Sequence, residues 1–266
     1  MEQEHLQANQ KLWDDWASFH PETELYDMQA FLGGKNSLMS IEREALGDVD
    51  GKSLLHLQCH FGQDTLSWAR LGAKATGVDF SATAIATARE LNQRLGLNAR
   101  FVQSNVLELA GKLDEQFDIV FTSYGAIVWL NDLRPWAETV AHHLRPGGTF
   151  CMAEFHPTLM MMDMENGRYA YPYFNEGAPV VEEVTGSYAK RDGENTHTEY
   201  TWQHSLSDIL TPLLGYGLQV EEFREYAFSP YNCFPNMEKL DKERYRCKAM
   251  PGAPHVFMLK MRKNMG

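Results

Sequence analysis

Residues Ser53–Ser81 read SLLHLQCHFGQDTLSWARLGAKATGVDFS, and this stretch decides the fold. Its apolar beginning, residues 54–57, has the length and composition of a buried parallel strand. A helical pattern over Gln63–Leu71 follows and ends at a glycine, which reaches the left-handed conformation of a helix C-terminal cap. Ala75–Val78 predicts a second strand, with Asp79 at its tip. The stretch is therefore a βαβ unit, and such units bind nucleotides beyond the carboxyl ends of their strands.

Strands and helices continue to alternate after this unit. Further strands are predicted at Ala99–Gln103, Phe117–Thr122, Thr149–Phe155, Leu218–Ala227 and His255–Met261, and helices at Ala82–Leu95, Asp132–Leu144 and Ser205–Leu214. A further helix is predicted over Asn236–Arg246, in the segment between the last two strands. No long parallel crossover separates these two strands.

The order of these elements resembles that of class I S-adenosylmethionine-dependent methyltransferases. In that family a glycine-rich loop after the first strand cradles the methionine half of the cofactor, and an acid after the second strand holds the ribose hydroxyls. The loop here runs from His56 to Gly62, and the acid is Asp79. His56 stands where the family usually has an acid, and Gln58 and His60 stand where it usually has glycines. The resemblance implies a Rossmann-like α/β fold with a doubly wound, seven-stranded, mostly parallel sheet.

Two segments extend this predicted domain of residues 51–266. Residues 1–50 are expected to form an N-terminal helical lid, with helices over Glu4–Phe19, Thr23–Leu32 and Ser37–Leu46 and with Ser37 as a cap. An antiparallel insertion is expected after the fifth strand, at about residues 157–204, with strands at Val180–Val184 and Thr196–Gln203. The insertion either shapes the acceptor pocket, or only covers the sheet edge, or forms a contact in a homodimer.

The resemblance assigns the cofactor site to residues at the carboxyl rim of the sheet and to one residue of the lid. The expected cofactor-binding residues are Trp13, Gln58, Cys59, His60, Gly62, Asp79, Phe80, Asn105, Val106 and Ser123. Trp13 could instead anchor its helix to the core, and Asn105 could be an ordinary turn residue.

His156 and Tyr124 are the candidate catalytic residues, with His60 as a rival, if the acceptor must lose a proton. No metal site is expected, because Glu154–His156 and His142–His143 lack a third ligand at motif spacing. The implied reaction is methyl transfer from S-adenosylmethionine to a small molecule by direct in-line displacement. The alternative is a non-catalytic protein that binds S-adenosylmethionine or S-adenosylhomocysteine. A nicotinamide-dependent dehydrogenase is disfavoured, because the loop lacks the G-x-G-x-x-G pattern.

Charge and composition limit the partners. The 266 residues carry a formal net charge of −12, which opposes attraction to nucleic acid phosphates and favours a small-molecule partner. No membrane helix or signal peptide is expected from the apolar runs. The four scattered cysteines are typical of reduced thiols in a cytoplasmic protein.

Overall fold

The computed structural model describes residues 3–265, and it has one central sheet with helices on both faces. The helices are α1 Gln3–Phe19, α2 Met28–Leu32, α3 Ser40–Leu46, α4 Gln63–Arg70, α5 Ala82–Arg94, α6 Leu133–His143, α7 Pro157–Met160 and α8 Leu206–Gly215. The strands are β1 Ser53–Leu57, β2 Lys74–Asp79, β3 Arg100–Gln103, β4 Phe117–Ser123, β5 Leu144–Phe155, β6 Met162–Asp163, β7 Arg168–Tyr169, β8 Val180–Thr185, β9 Thr196–Thr201, β10 Leu218–Tyr226, β11 Met237–Lys239, β12 Tyr245–Cys247 and β13 Val256–Lys263.

The central sheet has seven strands in the order β10-β13-β5-β4-β1-β2-β3. The five strands from β5 to β3 pair in parallel, and β13 pairs antiparallel with both β5 and β10. The predicted fold class is confirmed. The chain passes from β1 to β2 and β3 on one side and then crosses over to β4 on the other side of β1. The strand order therefore reverses at β1, and the carboxyl ends of the parallel strands β1, β2 and β4 lie at one edge, where ligands of such sheets bind.

Successive residues of the central strands point to opposite faces of the sheet and pack into two separate hydrophobic cores. Leu54 and Phe121 face the layer formed by α3, α4 and α5, whereas Leu55 and Val120 face the layer of α6 and α8. All four side chains are fully buried. This two-sided burial explains why the strands appear in the sequence as continuous apolar runs.

The predicted helix over Asn236–Arg246 is wrong, because this segment forms the hairpin of β11 and β12. Asn236 has a left-handed φ of 56°, which a helix cannot contain. The hairpin is held by the buried Cys247 and by paired backbone hydrogen bonds between Ser229 and Tyr245. Tertiary pairing therefore overrides the helical tendency of this charged stretch.

The first lid helix, α1, is found as predicted, whereas α2 and α3 are shorter than predicted. Within Thr23–Leu32 only α2 is helical, because Asp27 at its start has a left-handed φ of 40° and caps it by accepting from the Ala30 amide. The third helix begins at Ser40 and not at Ser37. The Ser37 hydroxyl does not cap it but hydrogen-bonds Asp64 and Ser67 of α4.

The insertion contains the predicted antiparallel pair, β8 and β9, with Val180 opposite Thr201. This hairpin packs against α1. Along residues 3–265 no helix is both long and apolar enough to cross a membrane.

Candidate active site

The loop after β1 keeps a glycine-like backbone although two of its residues carry side chains. Gln58 and His60 have φ values of 56° and 51°, and Gly62 has 77°. For a residue with a Cβ, this left-handed conformation costs roughly 1–2 kcal/mol. The substitutions relative to the family pattern therefore change which side chains line the loop while its backbone path is retained.

Gly62 begins α4 where the chain passes close to β3 and α5. A Cβ at this position would lie 2.5 Å from Phe101 Cε1 and 2.9 Å from Ala88 Cβ. Both its conformation and its surroundings therefore require glycine.

Asp79 lies directly against this loop. One carboxylate oxygen accepts a hydrogen bond from the His60 amide at 2.8 Å, and the other accepts from the Ser81 amide at 2.9 Å. Burial raises the pKa of Asp79 to about 6, although these hydrogen bonds act in the opposite direction. Each oxygen keeps a further lone pair that can accept from a ligand hydroxyl. The predicted meeting of the loop and the carboxylate is present.

Two loop side chains have polar atoms without a protein partner. Gln58 donates from Nε2 to the Ala126 carbonyl at 2.6 Å, but its Oε1 is buried and unpaired among the described residues. His60 Nε2 lies 2.9 Å from His20 Nδ1. His60 Nδ1 is buried and has no hydrogen-bond partner within residues 3–265. Buried polar atoms are rarely left without hydrogen bonds, so a polar ligand would satisfy them.

The middle of α1 covers the loop. The Trp13 ring lies edge-on to His60 at 5.1 Å between centroids and to Trp129 at 5.2 Å. Gln10 donates to the Phe80 carbonyl at 3.0 Å, and Asp14 accepts from the Ser81 hydroxyl at 2.6 Å. Trp13 therefore lies against the loop, and its contact with the cofactor stays a prediction.

The insertion hairpin and α1 form one unit, which we call the cover (Gln3–Phe19 with Val180–Thr201). The side chain of Asn9 pairs with both backbone groups of Tyr200, at 2.7 and 2.9 Å. Trp16 donates to the Gly186 carbonyl at 2.8 Å. His20, just after α1, places Nε2 2.9 Å from the Ser187 hydroxyl.

Two residues of the first-strand segment have buried, structural contacts. His56 is 3% exposed, and its Nδ1 lies 2.9 Å from Thr65 Oγ1, while its Nε2 lies 3.5 Å from Ser123 Oγ. Burial lowers the pKa of His56 to about 3, so the ring is neutral. The Cys59 thiol is buried beneath the loop, and burial raises its pKa.

The third-strand residues lie at the same edge of the sheet. The Asn105 side chain accepts from the Leu107 amide at 3.1 Å and caps the short 3₁₀ turn Val106–Glu108. Val106 is buried at 3% exposure. The contact with the Leu107 amide is the one expected if Asn105 is an ordinary turn residue. The side-chain amide nitrogen of Asn105 takes no part in this contact and is left for other partners.

The two candidate catalytic residues differ in their surroundings. Tyr124 has a left-handed φ of 33°, and its hydroxyl donates to Glu42 Oε2 at 2.8 Å. His156 places Nδ1 2.7 Å from Thr158 Oγ1 and Nε2 2.9 Å from a Glu225 carboxylate oxygen of β10. These contacts direct His156 toward β10, whereas Tyr124 lies on the rim of the loop, so the role of His156 stays a prediction.

Glu42 has no sequence signal, because it lies in the lid and reaches the rim only through tertiary packing. His20 is expected in the lid, and Glu154 at the rim, but the sequence does not show their partners. Glu154, at the end of β5, is 1% exposed and accepts from the amides of Ala126 at 2.8 Å, Phe155 at 2.7 Å, and also Gly125 and Ile127. It thereby holds the loop after β4 in place.

The rings of the cover lie close over the loop. Cavities of about 450 Å³ and about 360 Å³ are found elsewhere, the first lined by residues such as Arg43 and Trp68 and the second by residues such as Lys74 and Arg100. Neither of them is lined by the loop or by Asp79. A ligand that contacts both the loop and Asp79 would lie beneath the rings of the cover. In the described part of the chain no three His, Cys, Asp or Glu side chains form a group that could hold a metal.

Comparisons with known proteins agree with one another. The family described as methyltransferase domain matches residues 54–148. The ubiquinone biosynthesis O-methyltransferase of Klebsiella pneumoniae subsp. pneumoniae is 32% identical over 105 residues, which are 40% of this chain and 43% of that protein. The chain thus spans less than half the length of this relative.

Solved structures match over nearly the whole chain. An S-adenosylmethionine-dependent methyltransferase from Clostridium acetobutylicum has a TM-score of 0.60 and 14% identity, covering 95% of this chain and 99% of that one. The PH0226 protein from Pyrococcus horikoshii has a TM-score of 0.63 and 15% identity, covering 94% and 98%. At these identities the likeness shows a shared fold.

Proposed function

We propose that this chain, which has the class I methyltransferase fold and a methyltransferase domain at residues 54–148, transfers a methyl group from S-adenosylmethionine to a small-molecule acceptor. The relatives named above support this reaction class. The net charge of −12 supports a small acceptor in preference to a nucleic acid. The free cysteines support a reducing, cytoplasmic setting.

The residues at the rim fit the cofactor. The carboxylate of Asp79 can accept hydrogen bonds from a ribose diol, and the unpaired Gln58 Oε1 can accept from an ammonium group. The loop leads through Gly62 into the N-terminus of α4, which has no side-chain cap, and backbone amides at such an end favour a carboxylate. Asn105, Phe80 and Ser123 remain proposed contacts.

S-adenosylmethionine, when bound, supplies a methyl group on a positively charged sulfur. The work of the chain is then to hold the acceptor in line and to exclude water. Trp13 and the rest of the cover would exclude water, since they lie over the loop. The aromatic rings near His60 would also favour a cationic ligand.

The hydrogen bond from the His60 amide to Asp79 is the observation that carries this proposal. It joins the two parts of the chain that must meet to bind one nucleoside.

Calorimetry with S-adenosylmethionine and S-adenosylhomocysteine tests it. We expect the wild type to bind both and Asp79→Ala to bind at least about tenfold more weakly, because loss of hydrogen bonds to a charged group costs about 1.5–3 kcal/mol. Asp114→Ala, which removes an exposed carboxylate, is the matched control and should bind as the wild type does. Wild-type protein that binds neither compound contradicts the proposal. Binding without methyl transfer to any acceptor would instead favour a non-catalytic binding protein.

A further inference from the structure

Glu42 is a buried carboxylate that sequence reasoning did not single out. It lies on α3, which packs on β5 and β13, and its side chain is 0% exposed. Its Oε1 accepts from the Met39 amide at 2.5 Å, and its Oε2 accepts from the Tyr124 hydroxyl at 2.8 Å. None of the ion pairs formed within residues 3–265 includes Glu42.

Capping of α3 accounts for only one of the two carboxylate oxygens. A glutamate at this position of a capping box is usually at the surface, where water satisfies the other oxygen. Here that oxygen is directed to Tyr124 in a buried place without a cation, which is costly for a carboxylate. A structural role for Glu42 therefore leaves its second contact unexplained.

Tyr124 connects this carboxylate to the rim of the sheet. It follows the last residue of β4, two positions before Ala126, whose carbonyl binds Gln58 of the cofactor loop at 2.6 Å. Its left-handed φ of 33° and its amide bond to the Ala153 carbonyl at 2.7 Å fix its direction. Because its hydroxyl donates to Glu42, its lone pairs are free to accept a proton from another molecule.

The titratable groups around Glu42 are Asp64 of α4, Tyr124, Tyr231 of the loop after β10 and Cys151 of β5. The charge of Asp64 disfavours the ionised form of Glu42, whereas the hydrogen bonds from the Tyr124 hydroxyl and the Met39 amide favour it. The nearby Lys260 of β13 donates to the Ala45 carbonyl at 2.9 Å. Burial, followed by the charge of Asp64, raises the pKa of Glu42 to about 8. A general base is most effective when it titrates near the working pH, and this value satisfies that condition.

We propose that Glu42 receives, through the Tyr124 hydroxyl, the proton that the methyl acceptor must lose, and that the acceptor is therefore a hydroxyl, amine or thiol carrying a dissociable proton. This inference rests on the proposed methyl transfer. The acceptor's proton passes to the Tyr124 oxygen as the Tyr124 proton passes to Glu42 Oε2. The acceptor's lone pair forms the new bond to the methyl carbon, and the electron pair of the broken carbon–sulfur bond stays on sulfur. Glu42 then returns its proton to solvent.

Two kinds of measurement test the proposal. Infrared difference spectra between about pH 6 and about pH 10 report the carboxylic acid of Glu42 directly, as a band that Glu42→Gln removes. Transfer of a radioactive methyl group from S-adenosylmethionine is measured with a panel of simple phenols, primary amines and thiols. Glu44→Gln, an exposed change on the same helix, is the matched control.

For the wild type we expect the Glu42 band to titrate near pH 8 and kcat/KM to rise with pH through the same range, because only the ionised carboxylate accepts a proton. Glu42→Gln and Tyr124→Phe should lower kcat about 10²–10⁴-fold and remove that rise, with unchanged affinity for S-adenosylhomocysteine. Glu44→Gln should retain the wild-type profile. The class of probe that is methylated identifies the acceptor atom.

Outcomes that overturn this inference differ from those that overturn the methyl transfer itself. If the wild type does not bind S-adenosylmethionine, the proposed function fails. If it binds but methylates none of the panel, methyl transfer fails and a non-catalytic binding protein is favoured. If it methylates a probe and Tyr124→Phe keeps the wild-type rate and pH profile, the methyl transfer stands and the role of Glu42 is rejected. If Glu42→Gln does not fold, the rate and the pH profile of Tyr124→Phe still decide.

Discussion

At the scale of single residues, two residues of the first-strand loop that are not glycine adopt a backbone conformation that glycine favours. Gln58 and His60 adopt φ values of 56° and 51° that glycine reaches without strain. Strain of this kind is found where function requires a particular backbone. The loop can therefore hold a left-handed backbone although Gln58 and His60 stand where the family pattern has glycines.

Gly62 is the loop position that a side chain would damage most. We expect Gly62→Ala to lower the free energy of unfolding by about 2–4 kcal/mol, because left-handed strain adds to overpacking against Phe101. Gly96→Ala is the control, since its φ is also positive, at 64°, but nothing lies within 4 Å of the added Cβ. It should lose only about 1 kcal/mol by urea denaturation. Equal losses in the two variants would show that crowding at Gly62 is unimportant.

At the scale of elements, buried histidines join the cover to the sheet. His20 contacts His60 of the loop and Ser187 of the hairpin, each at 2.9 Å. Burial lowers the pKa of His20 to about 3 and also lowers that of His60. Both rings are therefore neutral when the cover is in place, and acid should weaken this junction.

The sign of the pH effect follows from linkage. Below its usual pKa of 6.5 the unfolded His20 binds a proton that the folded one does not, so stability falls as pH falls from about 6.5 toward the folded value. Between about pH 7.5 and about pH 5.5, each such histidine should cost about 1.4 kcal/mol.

We expect His20→Asn to remove about that share of the pH dependence in urea denaturation measured at the two pH values. His142→Asn, which changes an exposed histidine of α6, is the control and should keep the wild-type dependence. An unchanged dependence in His20→Asn would mean that His20 is not buried in neutral form.

At the scale of the whole molecule, α1 and the β8–β9 hairpin are distant in sequence but pack together as the cover. The side chain of Asn9 in α1 donates to the Tyr200 carbonyl and accepts from the Tyr200 amide, as a neighbouring strand would do for β9. Since the rings of this cover lie over the loop, its opening should precede ligand entry.

Hydrogen exchange can test whether the cover opens as a unit. We expect amides of α1 and β9 to exchange with similar opening free energies and to be protected together by S-adenosylhomocysteine. Asn9→Ala should speed exchange in both elements about thirtyfold, because it removes two hydrogen bonds worth about 1 kcal/mol each. Gln7→Ala, on the exposed side of α1, should change neither. Faster exchange in α1 alone would show that the two parts move independently.

The sequence by itself determined the seven-stranded sheet, the βαβ unit and the positions of Asp79 and Gly62. These depend on apolar runs and glycines whose effects are local, so they are visible along the chain. Only the tertiary structure decided that residues 236–246 form a hairpin, that α1 and β8–β9 form one cover, and that Glu42 meets Tyr124. Such contacts join residues up to 191 positions apart through single hydrogen bonds, and no periodic pattern in the sequence records which side chains will meet.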